Sequence, residues 1–488
     1  MTTTLEGAGA PLSSKPTSTP SRPRRGIGER WSRIVRPPRV AGLDVARALA
    51  VVGMIAAHVG NAPQLVVGDP GTWAGVVHGR SSLLFALVAG VSIALMTRGV
   101  RTAPADEVRR TRLALVGRGV VVLGLGVLLE LVGSPVAIIL GFYGILFIIV
   151  APIVGWSTRR LLLLVAVLVV VLGPLVSLGK ATYLLGGSAA QLVLLGMYPL
   201  PVWLALVLTG LVVGRGDLGS LRRAGAMVAV GIVLCIAGYG GATLLAPADA
   251  DEPSVTDPSD PGSSIVEVPG EDVDLAGFTC IRQDEESVSC WRTAGATVEA
   301  PVPGSVTSSS TLVELDSAAS FGWSVDPADG WWRSPLMTDS LTWDAVRGAL
   351  VSAEPHSGGL GEVVGSGGFV LATLGLCLAL GRPRVLRQLL VPVAALGSIP
   401  LTVYSLHVMS FLVPRFVEPA GIGTWLAQTV VLLLAATLWA LTLGRGPLER
   451  MTAWVASRYA VRTSGEKLRT PSDGGPGRPH LPGPPEVP

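Results

Sequence analysis

The chain has 488 residues, of which 49% are apolar and only 15% are charged. Soluble domains carry roughly 25% charged residues, so this composition excludes an ordinary soluble protein and indicates an integral membrane protein. The small formal net charge of +3 reflects Lys and Arg residues grouped between apolar runs, and it predicts no nucleic-acid surface.

Ten apolar runs follow one another along the chain. Each has about 17 to 25 residues, enough to cross a hydrocarbon core of roughly 30 Å as a helix. They lie near 43–62, 81–97, 113–132, 135–156, 161–178, 198–214, 224–245, 363–381, 393–414 and 424–443. Because unpaired backbone groups are costly in lipid, we predict an all-α integral membrane protein, a bundle of about ten transmembrane helices.

Arg residues are concentrated in alternate connections, which predicts a multi-pass protein of the cell membrane with both termini cytoplasmic. The first 38 residues have no apolar core or cleavage site, so the first run is expected to be a retained helix. The predicted divisions are a disordered basic tail (1–38), helices 1–7 (39–246), an acidic extracytoplasmic insert (247–362), helices 8–10 (363–445) and a second cytoplasmic tail (446–488), disordered from about 463.

The insert contains 21 Asp or Glu residues and only four Arg, which suits an extracytoplasmic location. Its segment "FTCIRQDEESVSCWRT" is typical of two strands joined by a polar turn, so we expect a small β-rich unit. Cys280 and Cys290 fall on the two arms, where an oxidising compartment would favour a disulfide; two unpaired thiols are the alternative. No Cys and His spacing fits a metal site, and none is expected.

The first apolar run carries three ionisable residues, Asp44, Arg47 and His58. Each is costly inside a membrane and is therefore a functional candidate. On a helix Arg47 and His58 lie about 20° apart around the axis and about 16 Å apart along it, with Asp44 beside Arg47. A polar stripe lining a cavity is one interpretation. An ion pair of Asp44 with Arg47 at the interface and a packed His58 are the alternatives.

Four segments resemble the transmembrane acyltransferases. An Arg followed after ten residues by His on the first span is similar to the acyltransferase-3 family. "LDVARALAVVGM" and "SSLLFALVAGVSIAL" resemble the first two spans of heparan-α-glucosaminide N-acetyltransferase and its bacterial relatives. "PHSGGLGEVVGSGGFVLATLGLCL" and "ALGSIPLTVYSLHVM" are similar to later spans of the bacterial group. The resemblance covers most of the membrane part and omits the insert and tails.

The resemblance implies transfer of an acyl group, usually acetyl, from cytoplasmic acetyl-CoA to a hydroxyl or amine of an extracytoplasmic glycan or lipid-linked sugar. By position, His58 would be the catalytic histidine and Arg47 the donor-binding or channel-shaping arginine. The relatives place a further histidine in the loop after the first span. Here the only histidine of that loop is His78, at a position that does not match, so the number of catalytic histidines stays open.

Further polar residues are candidates near the same spans. Arg118, one turn inside the third span, is a candidate for the coenzyme A phosphates, with snorkelling as the alternative. Arg80, at the outer start of the second span, calls for a buried partner such as Glu130 or for an anionic acceptor. An outward-facing carboxylate is the alternative for Glu130. Tyr404 and His407 are acceptor-side candidates, with polar helix packing as the alternative. His78 is another, with a loop or interface residue as the alternative, and so is His356 with Ser357 and Glu362 at the outer mouth of the eighth span.

Two other classes of function fit the composition. A polytopic transporter or lipid flippase would use the same polar stripe as a relay, and a non-catalytic envelope protein would use the acidic insert to recruit a partner. The order of the motifs favours the acyltransferase. The expected partners are the lipid bilayer and an envelope glycan or glycolipid, with no nucleic acid; a homodimer is left open.

Overall fold

The computed structural model describes residues 39–63, 69–182, 194–246 and 343–462, four short strands between 263 and 316, and positions 31, 34, 35 and 65. Most of the predicted N-terminal tail, the C-terminal tail after residue 462 and most of the acidic insert lie outside the described residues.

The described membrane part is helical throughout. Its helices are α1 (Ala41–Val59), α2 (Arg80–Met96), α3 (Ala105–Glu130), α4 (Leu140–Val150), α5 (Thr158–Val167), α6 (Gly173–Thr182), α7 (Leu200–Gly214), α8 (Leu221–Leu245), α9 (Trp343–Val351), α10 (Gly367–Leu380), α11 (Arg384–Leu389), α12 (Val391–Ser398), α13 (Pro400–Ser410), α14 (Ile422–Thr442) and α15 (Pro447–Arg462). Two 3₁₀ turns (Pro70–Val77, Pro414–Phe416) and two π-helical stretches (Leu168–Leu172, Gly361–Ser366) connect or extend them.

Seven helical stretches are long and apolar enough to cross a membrane. They are Ala41–Val59, Pro70–Met96, Ala105–Glu130, Thr158–Lys180, Leu221–Leu245, Gly361–Leu380 and Ile422–Thr442. The pair α12 and α13 would make eight, and α4 and α7 are shorter apolar helices. The helical multi-pass architecture is thus confirmed for the described residues, whereas the count of ten spans stays a prediction.

Helix α1 lies at the centre of the bundle. Most of its residues are buried, and it packs against α2, α10, α12, α13 and α14. In α14, by contrast, only Ala436 is buried, so this helix lies at the periphery with most of its surface open to lipid. The most protected helix is therefore the one that carries Asp44, Arg47 and His58.

Glycines let the central helices approach closely. A Cβ on Gly397 of α12 would lie 1.7 Å from the Asp44 carbonyl oxygen of α1, and one on Gly90 of α2 would lie 2.0 Å from the Val207 carbonyl oxygen of α7. Small residues at helix contacts are typical of membrane bundles, where packing rather than the hydrophobic effect holds helices together.

The predicted ninth span, 393–414, is two helices rather than one. Helices α12 and α13 are bent by 81° at Ile399. Pro400 is the first residue of α13, and its ring and missing N–H end the preceding helix. Glu449 of α15 accepts hydrogen bonds from the Leu401 and Thr402 backbone N–H groups at 2.9 and 3.1 Å, which fixes the start of α13.

Four strands lie in the insert: β1 (Ser263–Pro269), β2 (Phe278–Arg282), β3 (Val288–Arg292) and β4 (Ser310–Asp316), in the order β1-β4-β3-β2. Strands β2 and β3 pair antiparallel, with Cys280 opposite Cys290. Their side chains lie outside the described residues, so the disulfide stays a prediction.

Candidate active site and its surroundings

Three polar side chains from three different helices meet at one end of α1. The His58 Nδ1 atom lies 3.0 Å from His407 Nε2 of α13, and His407 Nδ1 lies 2.9 Å from the Gln428 side-chain oxygen of α14. His407 is 1% exposed and His58 is half-buried. The structure therefore joins His58, through His407, to an amide that the sequence interpretation had not singled out.

The hydrogen positions in this chain follow from the partners. The Gln428 amide nitrogen donates to the Phe416 carbonyl oxygen, so its Oε1 is the atom that faces His407. An amide oxygen only accepts, so His407 Nδ1 carries a hydrogen, and in the neutral ring Nε2 is then an acceptor. His58 Nδ1 must donate to it. The Nε2 atom of neutral His58 is left as a base, and it has no hydrogen-bond partner among the described residues.

Packing holds the two rings in this arrangement. The imidazoles of His58 and His407 are stacked, with their centroids 5.2 Å apart and their planes at 9° to each other. The His407 and Phe411 rings are in an edge-to-face arrangement, with their centroids 5.4 Å apart. The Trp425 indole N–H of α14 donates to the Val52 carbonyl oxygen of α1 at 3.1 Å. This bond ties the helix of Gln428 to the helix of His58.

At the opposite end of α1, Asp44 and Arg47 form an ion pair. The Arg47 guanidinium also donates to the Ser92 hydroxyl of α2 at 2.9 Å, and Asp44 is 6% exposed. Arg47 and His58, predicted on one stripe, thus contact different helices, α2 and α13. Through Asp44 and Ser92, Arg47 connects α1 to α2.

The loop before α10 is organised by two charged residues. Glu362, which is 1% exposed, accepts from the backbone N–H groups of His356 and Gly358, the latter at 2.8 Å, and from the Ser357 hydroxyl at 3.4 Å. Lys180 of α6 donates to the His356 carbonyl oxygen at 2.6 Å. The predicted grouping of His356, Ser357 and Glu362 is present, with Glu362 holding the loop.

The His356 ring lies against aromatic side chains. It stacks on the Trp203 indole, with centroids 5.8 Å apart, and meets the edge of Tyr198 at 5.8 Å. Its Nδ1 atom is buried and has no hydrogen-bond partner among the described residues. Burial, and then the positive charge of Lys180, lower the pKa of His356 to about 4, so the ring is neutral at physiological pH.

Glu130 was one possible partner of Arg80, and the described residues show no such pair. The Arg80 Nε donates to the Tyr239 hydroxyl of α8 at 2.8 Å, and that hydroxyl lies 2.6 Å from the Ser366 hydroxyl. Glu130 is exposed at the end of α3 and forms no ion pair with Arg80 in the described part of the chain. The guanidinium turns toward α8 because a hydroxyl is available there.

The remaining candidates are separate from the histidine pair. His78 Nε2 donates to the Ala62 carbonyl oxygen at 2.9 Å, so the second histidine beside His58 is His407. The Tyr404 hydroxyl accepts from the Ile139 backbone N–H at 3.4 Å. Arg118 is half-buried on α3, within electrostatic range of Arg445. Among the described residues no three His, Cys, Asp or Glu side chains are grouped as metal ligands would be.

The sequence interpretation missed Gln428, Tyr239 and Lys180. Gln428 had a usable signal, because it is a polar amide within an otherwise apolar span and such residues are candidates by the rule that selected His58. Lys180 lies two residues beyond the predicted fifth span (161–178), so a charged residue there gave no such signal. Tyr239 had none, since a tyrosine near the end of a span is ordinary interfacial packing.

The fold and these sites define a multi-pass helical membrane protein with a histidine pair at one end of its central helix. Residues 39–244, about two fifths of the chain, match the family model described as "Heparan-alpha-glucosaminide N-acetyltransferase, catalytic". This match supports the resemblance of these residues to the heparan-alpha-glucosaminide N-acetyltransferase-like transmembrane acyltransferases. No curated protein matches the chain in a search of such proteins. The matched region contains His58 and ends before His407 and Gln428.

Proposed function

We propose that the protein transfers an acetyl group from cytoplasmic acetyl-CoA to a hydroxyl or amine of an extracytoplasmic glycan or lipid-linked sugar of the cell envelope. The observation that carries the proposal is the hydrogen-bonded chain His58–His407–Gln428, which leaves a basic nitrogen on the first helix of a region that matches an acetyltransferase family. The family match over residues 39–244 supports acetyl transfer in general, and the hydrogen bonds among His58, His407 and Gln428 support a general-base mechanism.

In this mechanism His58 Nε2 takes the proton of the acceptor hydroxyl or amine while the acceptor atom attacks the thioester carbonyl carbon. A new C–O or C–N bond forms, the C–S bond breaks, and the coenzyme A sulfur leaves as a thiolate that takes up the proton from His58. A general base of this kind contributes about 10²- to 10⁴-fold to the rate. His58 is suited to it because the hydrogen bonds among His58, His407 and Gln428 leave its Nε2 as the accepting atom.

His407 and Gln428 act on this step as positioning residues. Because Gln428 fixes the hydrogen on His407 Nδ1, His407 can only accept from His58 Nδ1–H, and the lone pair of His58 stays on Nε2. When His58 becomes protonated, its Nδ1–H keeps the same acceptor, so the positive charge retains a hydrogen bond. The arrangement of His58, His407 and Gln428 is analogous to a catalytic triad, in which a further group orients the base.

In this proposal the acetyl-CoA donor extends along α1 from Arg47 to His58. Arg47 lies 11 residues before His58, about 16 Å along the axis, which is comparable to the reach of a pantetheine arm. With both termini cytoplasmic, as the Arg distribution indicates, Arg47 and Arg118 would meet the phosphate-bearing end of the donor and His58 would lie toward the outer surface. Ser92, which accepts from Arg47, keeps that guanidinium in one orientation.

The test is transfer of label from radiolabelled acetyl-CoA to envelope sugars in membranes that contain the full-length protein. The expected result is labelled sugar with the wild type and none above background with His58→Ala, at equal amounts of inserted protein. Movement of a sugar lipid across the membrane with no acetyl-CoA consumed would contradict the proposal and support a transporter or flippase instead.

A further inference from the structure

Arg80 is a cation whose charge no described residue neutralises. It is the first residue of α2 and is half-buried, and the ion pairs among described residues join Asp44 with Arg47 and Asp344 with Arg347. An unpaired charge inside a membrane protein carries a large desolvation cost, and such residues usually face a partner or a substrate path. Arg80 is therefore a candidate for contact with a bound anion.

The guanidinium is held in place by neutral groups. Its Nε donates to the Tyr239 hydroxyl at 2.8 Å, its carbon lies 5.2 Å from the centre of the Tyr239 ring, and the Tyr239 hydroxyl is fixed by Ser366 at 2.6 Å. An arginine has five N–H donors, and Nε uses one. The Nη1 and Nη2 groups have no hydrogen-bond partner among the described residues. These two nitrogens form the edge that binds a carboxylate or phosphate through two parallel hydrogen bonds.

The neighbouring loop supplies a second unsatisfied group. Gly79, beside Arg80, has a φ of +67°, and a Cβ there would lie 3.0 Å from Pro355 Cβ and 3.9 Å from His356 Nε2, so a glycine is needed for the two segments to touch. The ring atom near Gly79 is Nε2, and the buried Nδ1 has no hydrogen-bond partner among the described residues.

The other charges of this loop compensate each other. Lys180 and Glu362 both bind the backbone of His356, one through its carbonyl oxygen and one through its N–H group. Their charges are opposite, and the neighbouring His356 ring is neutral. Arg80 is thus left with one uncompensated positive charge at this end of the bundle.

We propose that Arg80, positioned by Tyr239 and Ser366 and bordered by the His356 ring, is a binding site for an oxyanion, either a carboxylate or a phosphate. Its source would be the acceptor, so that the acceptor is an acidic sugar or a sugar phosphate; this last step rests on the proposed function. The two nitrogens of the guanidinium edge bind the anionic oxygens.

The site is close to the helix of the proposed base. Ser81, the residue after Arg80, touches the α1 backbone at Gly53, where a Cβ would lie 2.2 Å from its hydroxyl oxygen. Gly53 precedes His58 by five residues, about 7.5 Å along the helix. Arg80 thus begins a helix that packs directly on the helix of the proposed base.

The experiment measures binding of glucuronic acid, inorganic phosphate and neutral glucose to the full-length protein in nanodiscs by titration calorimetry. The wild type is expected to bind at least one of the two anions about tenfold or more tightly than glucose, because hydrogen bonds between two charged groups are the strong ones. Arg80→Gln should lose this advantage, and Arg80→Lys should keep only part of it, since lysine cannot bind bidentately. Tyr239→Phe should weaken anion binding several-fold while keeping the ring that packs under Arg80.

Arg347→Gln is the matched control, because it removes the same charge from α9, where Arg347 already pairs with Asp344. Its anion binding should equal that of the wild type. Tighter binding of glucuronic acid than of phosphate identifies a carboxylate, and the reverse order identifies a phosphate; both support the site. Equal binding of anions and glucose by the wild type, or an unchanged anion affinity in Arg80→Gln, would overturn it.

These readouts are independent of acetyl transfer. If the wild type binds an anion through Arg80 but transfers no label from acetyl-CoA, the proposed function fails and the anion site stands. If label is transferred and Arg80→Gln changes neither anion binding nor the KM for the acceptor, the anion site fails and the proposed function stands.

Discussion

His58 Nδ1 and His407 Nε2 lie 3.0 Å apart although 349 residues separate them in the chain. The contact joins the family-matched N-terminal region to the two-part helix pair near the C-terminus, so the proposed site requires both halves of the membrane domain. His58 is the last residue of the hydrogen-bonded series that begins at Gln428 and passes through His407, and the partner of each ring fixes which of its nitrogens carries the hydrogen.

Gln428 should matter for activity through the orientation of His407. Gln428→Leu removes the acceptor for His407 Nδ1–H, which permits the wrong tautomer and a rotated ring, and we expect acetyl transfer to fall on the order of 10- to 100-fold. Gln428→Glu keeps an acceptor at this position and should retain most of the activity. Thr429→Val is the control, since the Thr429 hydroxyl is buried without a partner and lies outside the chain. A fully active Gln428→Leu would contradict the positioning role.

Gly397 should be required for the packing of α12 on α1. In Gly397→Ala the new methyl group would lie 1.7 Å from the Asp44 carbonyl oxygen, so the helices must separate and the melting temperature and acetyl transfer should both fall. Gly225→Ala in α8 has open space around the new methyl group and should be neutral or stabilising by about 0.5–1 kcal/mol. Thermal unfolding in detergent checks both. Equal melting temperatures for the two variants would show that the close contact is unimportant.

His356 should make the stability of the protein depend on pH. Its pKa falls from 6.5 to about 4 in the folded protein, so between these values the unfolded chain binds a proton that the native state does not. Stability therefore rises with pH through this window and is lost as the pH falls toward 4. Melting temperatures at pH 5 and pH 7.5 should differ more for the wild type than for His356→Asn, which tolerates the positive φ of this position. The same pH response in both proteins would exclude His356 as the cause.

Cys280 and Cys290 should be oxidised in the protein isolated from the membrane. They are opposite each other in the β2–β3 pair, and the Cα spacing of opposed antiparallel residues is compatible with a disulfide. Thiol labelling after denaturation should therefore modify two of the four cysteines, Cys235 and Cys377, and all four after reduction. Four labelled thiols before reduction would show that the pair is unbridged.

Run length and composition predicted most of the helical architecture, because a segment that crosses lipid must be long, apolar and helical. The break at Ile399 was missed although Pro400 lies inside the predicted span, and a proline in a helical run signals an end or a kink. Mean hydropathy over a span is little changed by a single proline, so it does not reveal the break.

The candidate site was predicted in part. His58 and His407 were each selected because ionisable residues are rare in membrane spans, yet nothing in their spacing indicated that they touch, since the contact depends on how α13 bends back toward α1. Periodicity describes one helix at a time. For the same reason Glu130 was offered as a possible partner of Arg80, whereas in the structure Arg80 donates to Tyr239, on a helix far along the chain.

The most direct test of the general-base chain is the rate at which purified protein in nanodiscs releases coenzyme A from acetyl-CoA in the presence of envelope sugar acceptors. The wild type should release coenzyme A in step with labelled sugar, and His58→Ala should slow both about 10²-fold or more at an unchanged melting temperature. Equal rates for His58→Ala and the wild type would contradict the account.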